Sequence, residues 1–388
     1  MYDRPPVLPG VAMDWTAFRS HFPVVKRWAF FDHAAVAPIP DRAVEALEEY
    51  GRRIAESGIA DVWFWADRVA HVRRLAAQLV NAPAAEDVCF VPNTTVGIGL
   101  VAEGFPWKAG DNVVLAAEEY PSNQYPWLNL KARGVEVRPV PSRGSRVELD
   151  DVRAAIDSRT RVLTASFVQY ASGFRSDLDA LGGLCRERGV FFFVDAIQGL
   201  GVFPLDVQKT PIDALAADGH KWLLAPEGAG IAYIRREWID RLHPVGVGAH
   251  SVTKPFDYGT IHFDLKPHAG RYEGGALNLP GVTALGESLN LLLGAGVEAV
   301  SARVLHLTNY LCERAWSAGL EVFSSRRPGD RSGIVSLTKP GIPQKDVMKR
   351  CRDAGVVVNV RGGRLRVSPH AYNTEDEIDR FLDVVRQS

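Results

Sequence analysis

The sequence predicts an α/β protein: a mostly parallel sheet covered by helices on both faces, followed by a smaller α+β unit. Three observations carry this. From about residue 88, short β-rich runs alternate with helical stretches, the pattern of repeated strand–helix–strand units. One of those runs, 190–194, is wholly apolar, as a strand buried on both faces must be. And 388 residues, 46% of them hydrophobic, exceed what one core usually serves, so two folding units are expected.

Residues 1–25 carry four prolines and little periodicity and are expected to form an arm. Two helices are expected next, Asp41–Ser57 and 61–81, with Asp41 and Asp61 as N-caps and Leu75, Leu79 and Val80 recurring at helical spacing. The strand runs are Val88–Val91, 113–116, 135–140, 162–168, 190–194, 214–217 and Gly230–Ile234, with helices at 149–156 and 176–188 among them. Residues 244–275 are Gly-rich and aromatic without periodicity; a loop that long in a compact domain is usually functional or interfacial. Beyond Pro280 come helices at 281–293 and Val297–Ala318. A tail follows, with strands at 334–338, 356–359 and 364–368 and helices at 344–354 and 374–386. The expected division is an arm at 1–25, a large domain at 26–275 and a small domain at 276–388.

Composition removes several function classes. Forty-five basic residues face 46 acidic ones, a formal charge of −1, so no basic excess exists to grip nucleic acid. No apolar run reaches the length of a membrane span, and the first residues lack the charged-then-apolar pattern of a signal peptide. Four scattered cysteines without a C-x-x-C pair suit a reducing cytoplasm and argue against a disulfide or zinc scaffold. Ten histidines include no H-E-x-x-H arrangement, so no metal site is expected. Gly199-Leu200-Gly201 lacks the third glycine of a dinucleotide-binding turn, which disfavours a nicotinamide dehydrogenase.

Three stretches carry chemistry. In Asp218-Gly219-His220-Lys221-Trp222 the lysine sits where a strand leaves the sheet, the edge at which α/β sheets hold ligands. Its apolar neighbours Trp222, Leu223 and Leu224 suggest a partly desolvated amine, with lowered pKa and raised nucleophilicity. In 190–198 an all-apolar strand ends in Asp195, with Gln198 three residues on. Asp195 reads either as a helix N-cap or as a carboxylate held for a cationic ligand group. In Val91-Pro92-Asn93-Thr94-Thr95 a strand runs into a helix start, which is either an ordinary cap or an anion site. A lysine, a carboxylate and an anion cradle in this order converge on pyridoxal 5'-phosphate, which needs all three.

With these stretches in hand, the chain resembles the class V aminotransferase family of fold-type I enzymes. That family includes group II cysteine desulfurases and isopenicillin N epimerase. Matching stretches run from Phe31-Asp32-His33-Ala34-Ala35 to Ala371-Tyr372-Asn373-Thr374-Glu375. The resemblance implies that Lys221 carries the cofactor as a Schiff base, that Asp195 pairs with the ring nitrogen and that Gln198 touches the ring hydroxyl oxygen. It implies that Thr94, Thr95 and His220 bind phosphate and that Tyr120, where many relatives have histidine, stacks on the ring. Arg366 matches the arginine that clamps the substrate carboxylate. Gln169 is placed at the same sheet edge, against the cofactor, and His33 with the two alanines after it at the site mouth. Gly275 and Ala276 match a loop that reaches the neighbouring subunit's phosphate, which implies a homodimer with shared active sites.

The expected activity is that of a PLP-dependent enzyme on a small amino acid or amine, transamination first, with carbon–sulfur lysis or epimerisation as the alternative. Persulfide-forming desulfuration is set aside, because the stretch 358–365 before Arg366 carries no cysteine. A non-catalytic PLP-fold protein is a third reading, disfavoured because the lysine is kept.

Overall fold

The computed structural model describes residues 13–257 and 259–387. Its centre is a seven-stranded sheet in the order Val88–Val91, Gly230–Ile234, Ala214–Asp218, Phe191–Asp195, Thr160–Ser166, Asn112–Ala116, Glu136–Val140. The last five of these pair in parallel; Gly230–Ile234 runs antiparallel to both its neighbours. The alternation within one strand shows why the sequence reads as uniformly apolar. Phe192 and Val194 point into the core on one face of the sheet, Phe191 and Phe193 into the core on the other. Each fully buried phenylalanine removes enough apolar surface to contribute about 1.5–3 kcal/mol.

The C-terminal part builds a four-stranded antiparallel sheet ordered Asn359–Arg361, Arg364–Val367, Val335–Thr338, Glu321–Val322. Its core takes Leu307 and Leu311 from helix Val297–Ala315, Val347 and Cys351 from Gln344–Asp353, and Phe381 and Leu382 from Glu375–Arg386. That last helix opens with a full capping box, Thr374 and Glu377 each closing the other's backbone amide.

The apolar cores do not follow chain order. Leu285, Leu289 and Leu292 of helix Leu279–Ala295 sit in the main core, while Ala29 and Phe31 sit in the C-terminal one. The pairing of Ala29–Phe30 with Val356–Val357 makes the latter possible. One consequence is that Asp32, just past Phe31, is delivered to the C-terminal sheet.

Some local expectations are corrected. Part of the arm lies outside the described residues. Its described part forms a helix, Trp15–Ser20, capped by Asp14, and buries Phe18 and Phe22. Asp41 does not cap: it lies inside the helix after Pro40, and its carboxylate takes His21 Nδ1 at 2.9 Å. Asp61 stands at a cap position but its carboxylate pairs with Arg53 at 3.0 Å instead. Among the described residues no single helix is long and apolar enough to cross a membrane.

Candidate active site

The carboxyl ends of the strands meet at one edge of the large sheet, and a pocket of about 310 Å³ opens there. Each wall residue is delivered by a strand or helix end, where the backbone leaves regular structure.

Lys221 follows strand Ala214–Asp218 through a tight turn. A side chain on Gly219 would meet the Ala229 carbonyl at 2.5 Å, so only glycine fits. Three residues past the lysine, Leu224 takes a left-handed φ of 58°, rare for a bulky residue and typical of constrained sites. The winding leaves Lys221 8% exposed. Burial pushes its pKa down, Asp195 opposes that, and the guanidiniums of Arg366 and Arg361 add to it.

Asp195 closes strand Phe191–Asp195. One carboxylate oxygen accepts from Ile197 N–H at 3.2 Å, and no donor among the described residues reaches the other. Burial raises its pKa, and the neighbouring Glu119 raises it further. Glu119 is itself buried and held by Ser166 N–H at 2.8 Å, the Ser166 hydroxyl and Gln169 Nε2 at 2.8 Å. A cation beside Asp195 would offset both effects.

Helix Thr94–Gly104 points its N-terminus at the pocket, with Asn93 as N-cap accepting from Val96 N–H at 2.9 Å. Gly97 lets this helix lie flush on the sheet: a Cβ there would come within 2.5 Å of Ala216 Cβ. The first-turn amides of such a helix lack intrahelical acceptors, which makes an anion seat. The Thr94 hydroxyl accepts from Asp218 N–H at 2.9 Å, and Thr95 donates to the Ser122 hydroxyl at 2.8 Å. His220 Nδ1 stands 2.8 Å from an Asp218 carboxylate oxygen but makes no hydrogen bond, and the ring lines the pocket. The Tyr120 ring covers Lys221, whose Nζ lies 5.5 Å from the ring centroid. The Gln198 amide is largely committed, accepting from Trp222 Nε1 at 2.9 Å and donating to the Ala34 carbonyl at 3.0 Å. One Nε2 proton stays free.

Arg366 reaches the wall from the C-terminal sheet and is 2% exposed. It donates to Asp32 at 3.1 Å and to the Tyr170 carbonyl at 3.1 Å, and its Nε has no partner.

Lysine, free carboxylate oxygen, anion seat and covering ring thus fit pyridoxal phosphate in one pocket. Four expected residues do not line it within the chain. His33 is fully buried, its ring nitrogens on the Ser368 carbonyl at 2.8 Å and the Tyr372 hydroxyl at 2.7 Å. Only Ala34 and Ala35 of that stretch line the wall. Gln169 lies behind Glu119, on the wall of a second cavity of about 490 Å³. Gly275 and Ala276 are exposed and away from this pocket within the chain.

Sequence reasoning did not single out Arg361, Asp218 or Ser122, which line the pocket, or Asp32 and Glu119, which stand behind it. The signals were present: a carboxylate inside apolar Phe30-Phe31-Asp32, and arginines at alternate positions around Gly362-Gly363. None of the four cysteines lines the pocket. Cys89, Cys185 and Cys351 are buried, and burial pushes the Cys351 thiol up to about 12 and Cys312 to about 11. No metal-binding cluster occurs among the described residues.

Fold and site together define a fold-type I PLP enzyme. The family model for class V aminotransferases matches residues 29–381, so the chain belongs to that family, and its cofactor is pyridoxal phosphate. A probable cysteine desulfurase of Methanothermobacter thermautotrophicus is 28% identical over 392 residues, 95% of this chain and 96% of the relative. A cysteine desulfurase of Cronobacter sakazakii is 30% identical over 394 residues, 94% and 95% of the two chains. The solved apo cysteine desulfurase of Thermococcus onnurineus shares the fold, with a TM-score of 0.89 at 23% identity, covering 98% of this chain and 99% of that one. The names of these relatives overturn the expected activity. Transamination and the exclusion of desulfurases do not stand against full-length relatives called desulfurases, and the alternative of a lyase or epimerase fits no better. The exclusion rested on one loop, whereas the similarity spans the whole chain.

Proposed function

We propose that this chain is a PLP-dependent enzyme of the cysteine desulfurase type, breaking the carbon–sulfur bond of cysteine or a close analogue. The observation that carries the reading is the convergence of Lys221, Asp195 and Arg366 on one pocket wall. The full-length relatives support it. Bound there, the cofactor supplies an electron sink for charge developing at the substrate's Cα.

The residues divide the remaining work. Lys221 would hold the cofactor covalently, and its freed amine is placed to move the substrate's Cα proton; burial lowers its pKa, which favours the neutral amine that step needs. Asp195 keeps the ring nitrogen protonated. Thr94, Thr95, His220 and the helix N-terminus hold the phosphate, and Tyr120 covers the ring. Gln198 offers its free Nε2 proton to the ring hydroxyl oxygen. Arg366 orients the substrate carboxylate with the fork geometry a carboxylate needs. Gln169 and His33 act from behind the wall, Gln169 by holding Glu119 and His33 by packing under Lys221's turn against Trp222.

We also infer a cytoplasmic homodimer. Phe256, Ile261 and Phe263 are exposed on the segment that leads to Gly275 and Ala276, an apolar patch suited to a second copy.

The test is incubation of the PLP-loaded protein with cysteine and excess dithiothreitol as sulfur acceptor. Alanine and sulfide should appear in equal amounts. If neither rises above the enzyme-free control, the reading is wrong.

A further inference from the structure

We propose that Arg361 recognises an acidic group on the substrate's side chain, so that an analogue with an anion beyond its α-carboxylate binds more tightly than a neutral one of the same size. The inference rests on the proposed function, with Arg366 at the α-carboxylate.

Local sequence places both arginines. In the antiparallel pair Asn359–Arg361 and Arg364–Val367, Asn359 stands opposite Arg366 and Val360 opposite Leu365. Side chains alternate across a strand, so Asn359, Arg361 and Arg366 share one face. Val360 and Leu365 face the core behind them. The turn is Gly362-Gly363, with φ of 54° and 76°, the left-handed pair that a two-residue hairpin requires. A hairpin this short holds Arg361 on a rigid strand rather than a swinging loop.

One carboxylate organises the face. Asp32 accepts from Arg366 Nη2 at 3.1 Å with one oxygen and from Asn359 Nδ2 at 2.6 Å with the other. Asn359 Oδ1 then accepts from Arg361 Nη1 at 2.8 Å, and the same nitrogen donates to the Val360 backbone carbonyl at 2.9 Å. Asp32 thereby positions two guanidiniums beside one pocket.

Charge separates their roles. Arg366 has Asp32 as counter-ion; Arg361 has no carboxylate within ion-pair distance among the described residues. Of the wall carboxylates, Asp218 is engaged by His220 and Gly219 N–H, and Asp195 lies beside Lys221. The Arg361 charge acts on the same cluster: it adds to the lowering of the Lys221 and Arg366 pKa values by burial, and it opposes the raising of Asp32 by burial. A guanidinium held on the pocket wall with no carboxylate within ion-pair distance offers its donor fork to an anion. The cofactor phosphate has its own seat at the Thr94 helix end, so the anion left to meet Arg361 belongs to the substrate.

The test titrates the PLP-loaded protein with aspartate against asparagine and glutamate against glutamine, following cofactor absorbance and, independently, calorimetric heat. Each pair differs in charge at nearly constant size. In at least one pair the acid should bind about ten- to a hundredfold tighter, the worth of a charged hydrogen bond. Arg361→Met should erase that preference while cofactor content, read from its absorbance, stays that of the parent, and Arg361→Lys should keep part of it. Equal binding of acid and amide, a preference that survives Arg361→Met, or loss of cofactor from Arg361→Met would each overturn the inference. If cysteine perturbs the spectrum and the pairs show no preference, only this inference falls. If no amino acid perturbs it, the proposed function falls as well.

Discussion

Glu119 and Gln169 separate two spaces of unequal size and opposite character. The larger, about 490 Å³, is walled by side chains such as Leu115, Val140, Leu163 and Phe167. Its arginines are met from within the chain: Arg146 pairs with Glu148 at 2.9 Å and with Asp330, and Arg175 donates to the Gly329 carbonyl at 3.0 Å. The smaller, about 310 Å³, holds Lys221, Asp195 and Arg361, none with an ion-pair partner within reach among the described residues. Volume therefore does not mark the site. What marks it is charge that the fold has gathered and left unsettled, since only a ligand can settle it.

That contrast can be broken from either side. Lys221→Ala should have the largest effect, lowering turnover about 10²–10⁴-fold, the worth of a positioned acid–base group. Borohydride reduction followed by peptide mapping should then find no PLP on the chain, whereas in the parent protein the label sits on Lys221. A label on another lysine would move the site elsewhere.

Arg366→Ala should strike stability and substrate binding together. It leaves Asp32 buried without its counter-ion, a loss of about 3–5 kcal/mol for a broken buried pair. Thermal melting should show a fall that Asp32→Asn, added to it, partly restores. An unchanged melting temperature would mean that the Arg366–Asp32 contact carries no weight.

Glu119→Gln tests the wall between the two spaces and should act through pH. Asp195 holds its proton more tightly in the folded protein than its ordinary pKa of 3.8 allows, through burial first and Glu119 second. Between that value and the raised one the folded state binds more protons than the unfolded, so apoprotein stability declines as pH rises through that window. The substitution removes the like charge beside Asp195 and also Glu119's own burial-raised titration, and both narrow the window. Melting temperatures of Glu119→Gln should therefore decline less between about pH 4 and 7 than those of the parent. A parallel decline would show that Glu119 does not act on Asp195.

The smallest effect is expected from the other side of that wall. Ala180→Leu adds bulk to the larger cavity. Activity should stay within about twofold and stability within about 1 kcal/mol, as for a substitution that meets free space. A large loss of activity would mean that the two spaces communicate.

Much of this was legible in the amino-acid sequence. Val88–Val91 and Gly230–Ile234 match their expected limits, and the remaining large-sheet strands differ at their ends by one or two residues. The reason is that a strand buried on both faces has nowhere to put a polar side chain, so its ends show as polarity. Asp195 was found by the same rule, as the first polar group beyond such a run, and Lys221 and Thr94 stand just past the first ones, Asp218 and Asn93. His33 and Gln169 misled because adjacency in sequence does not say which way a side chain points. His33 turns under the wall while Ala34 and Ala35 form it, and Gln169 turns to Glu119. The expected activity failed for a related reason: one loop without a thiol outweighed a resemblance that runs from residue 29 to 381.

Local pattern alone determined the parallel sheet, the edge at which ligands sit, and a lysine, a carboxylate and a helix start delivered to that edge. These follow from periodicity and polarity over a few neighbouring residues, which any stretch of chain displays. The tertiary structure decided which distant residues share the pocket. Asp32 meets Arg366 across 334 positions of chain because Ala29–Phe30 pairs beside the C-terminal sheet. Only that meeting gives one guanidinium a counter-ion and leaves Arg361 without one. Pairing between segments so far apart is set by the packing of whole cores, and no short-range pattern encodes it.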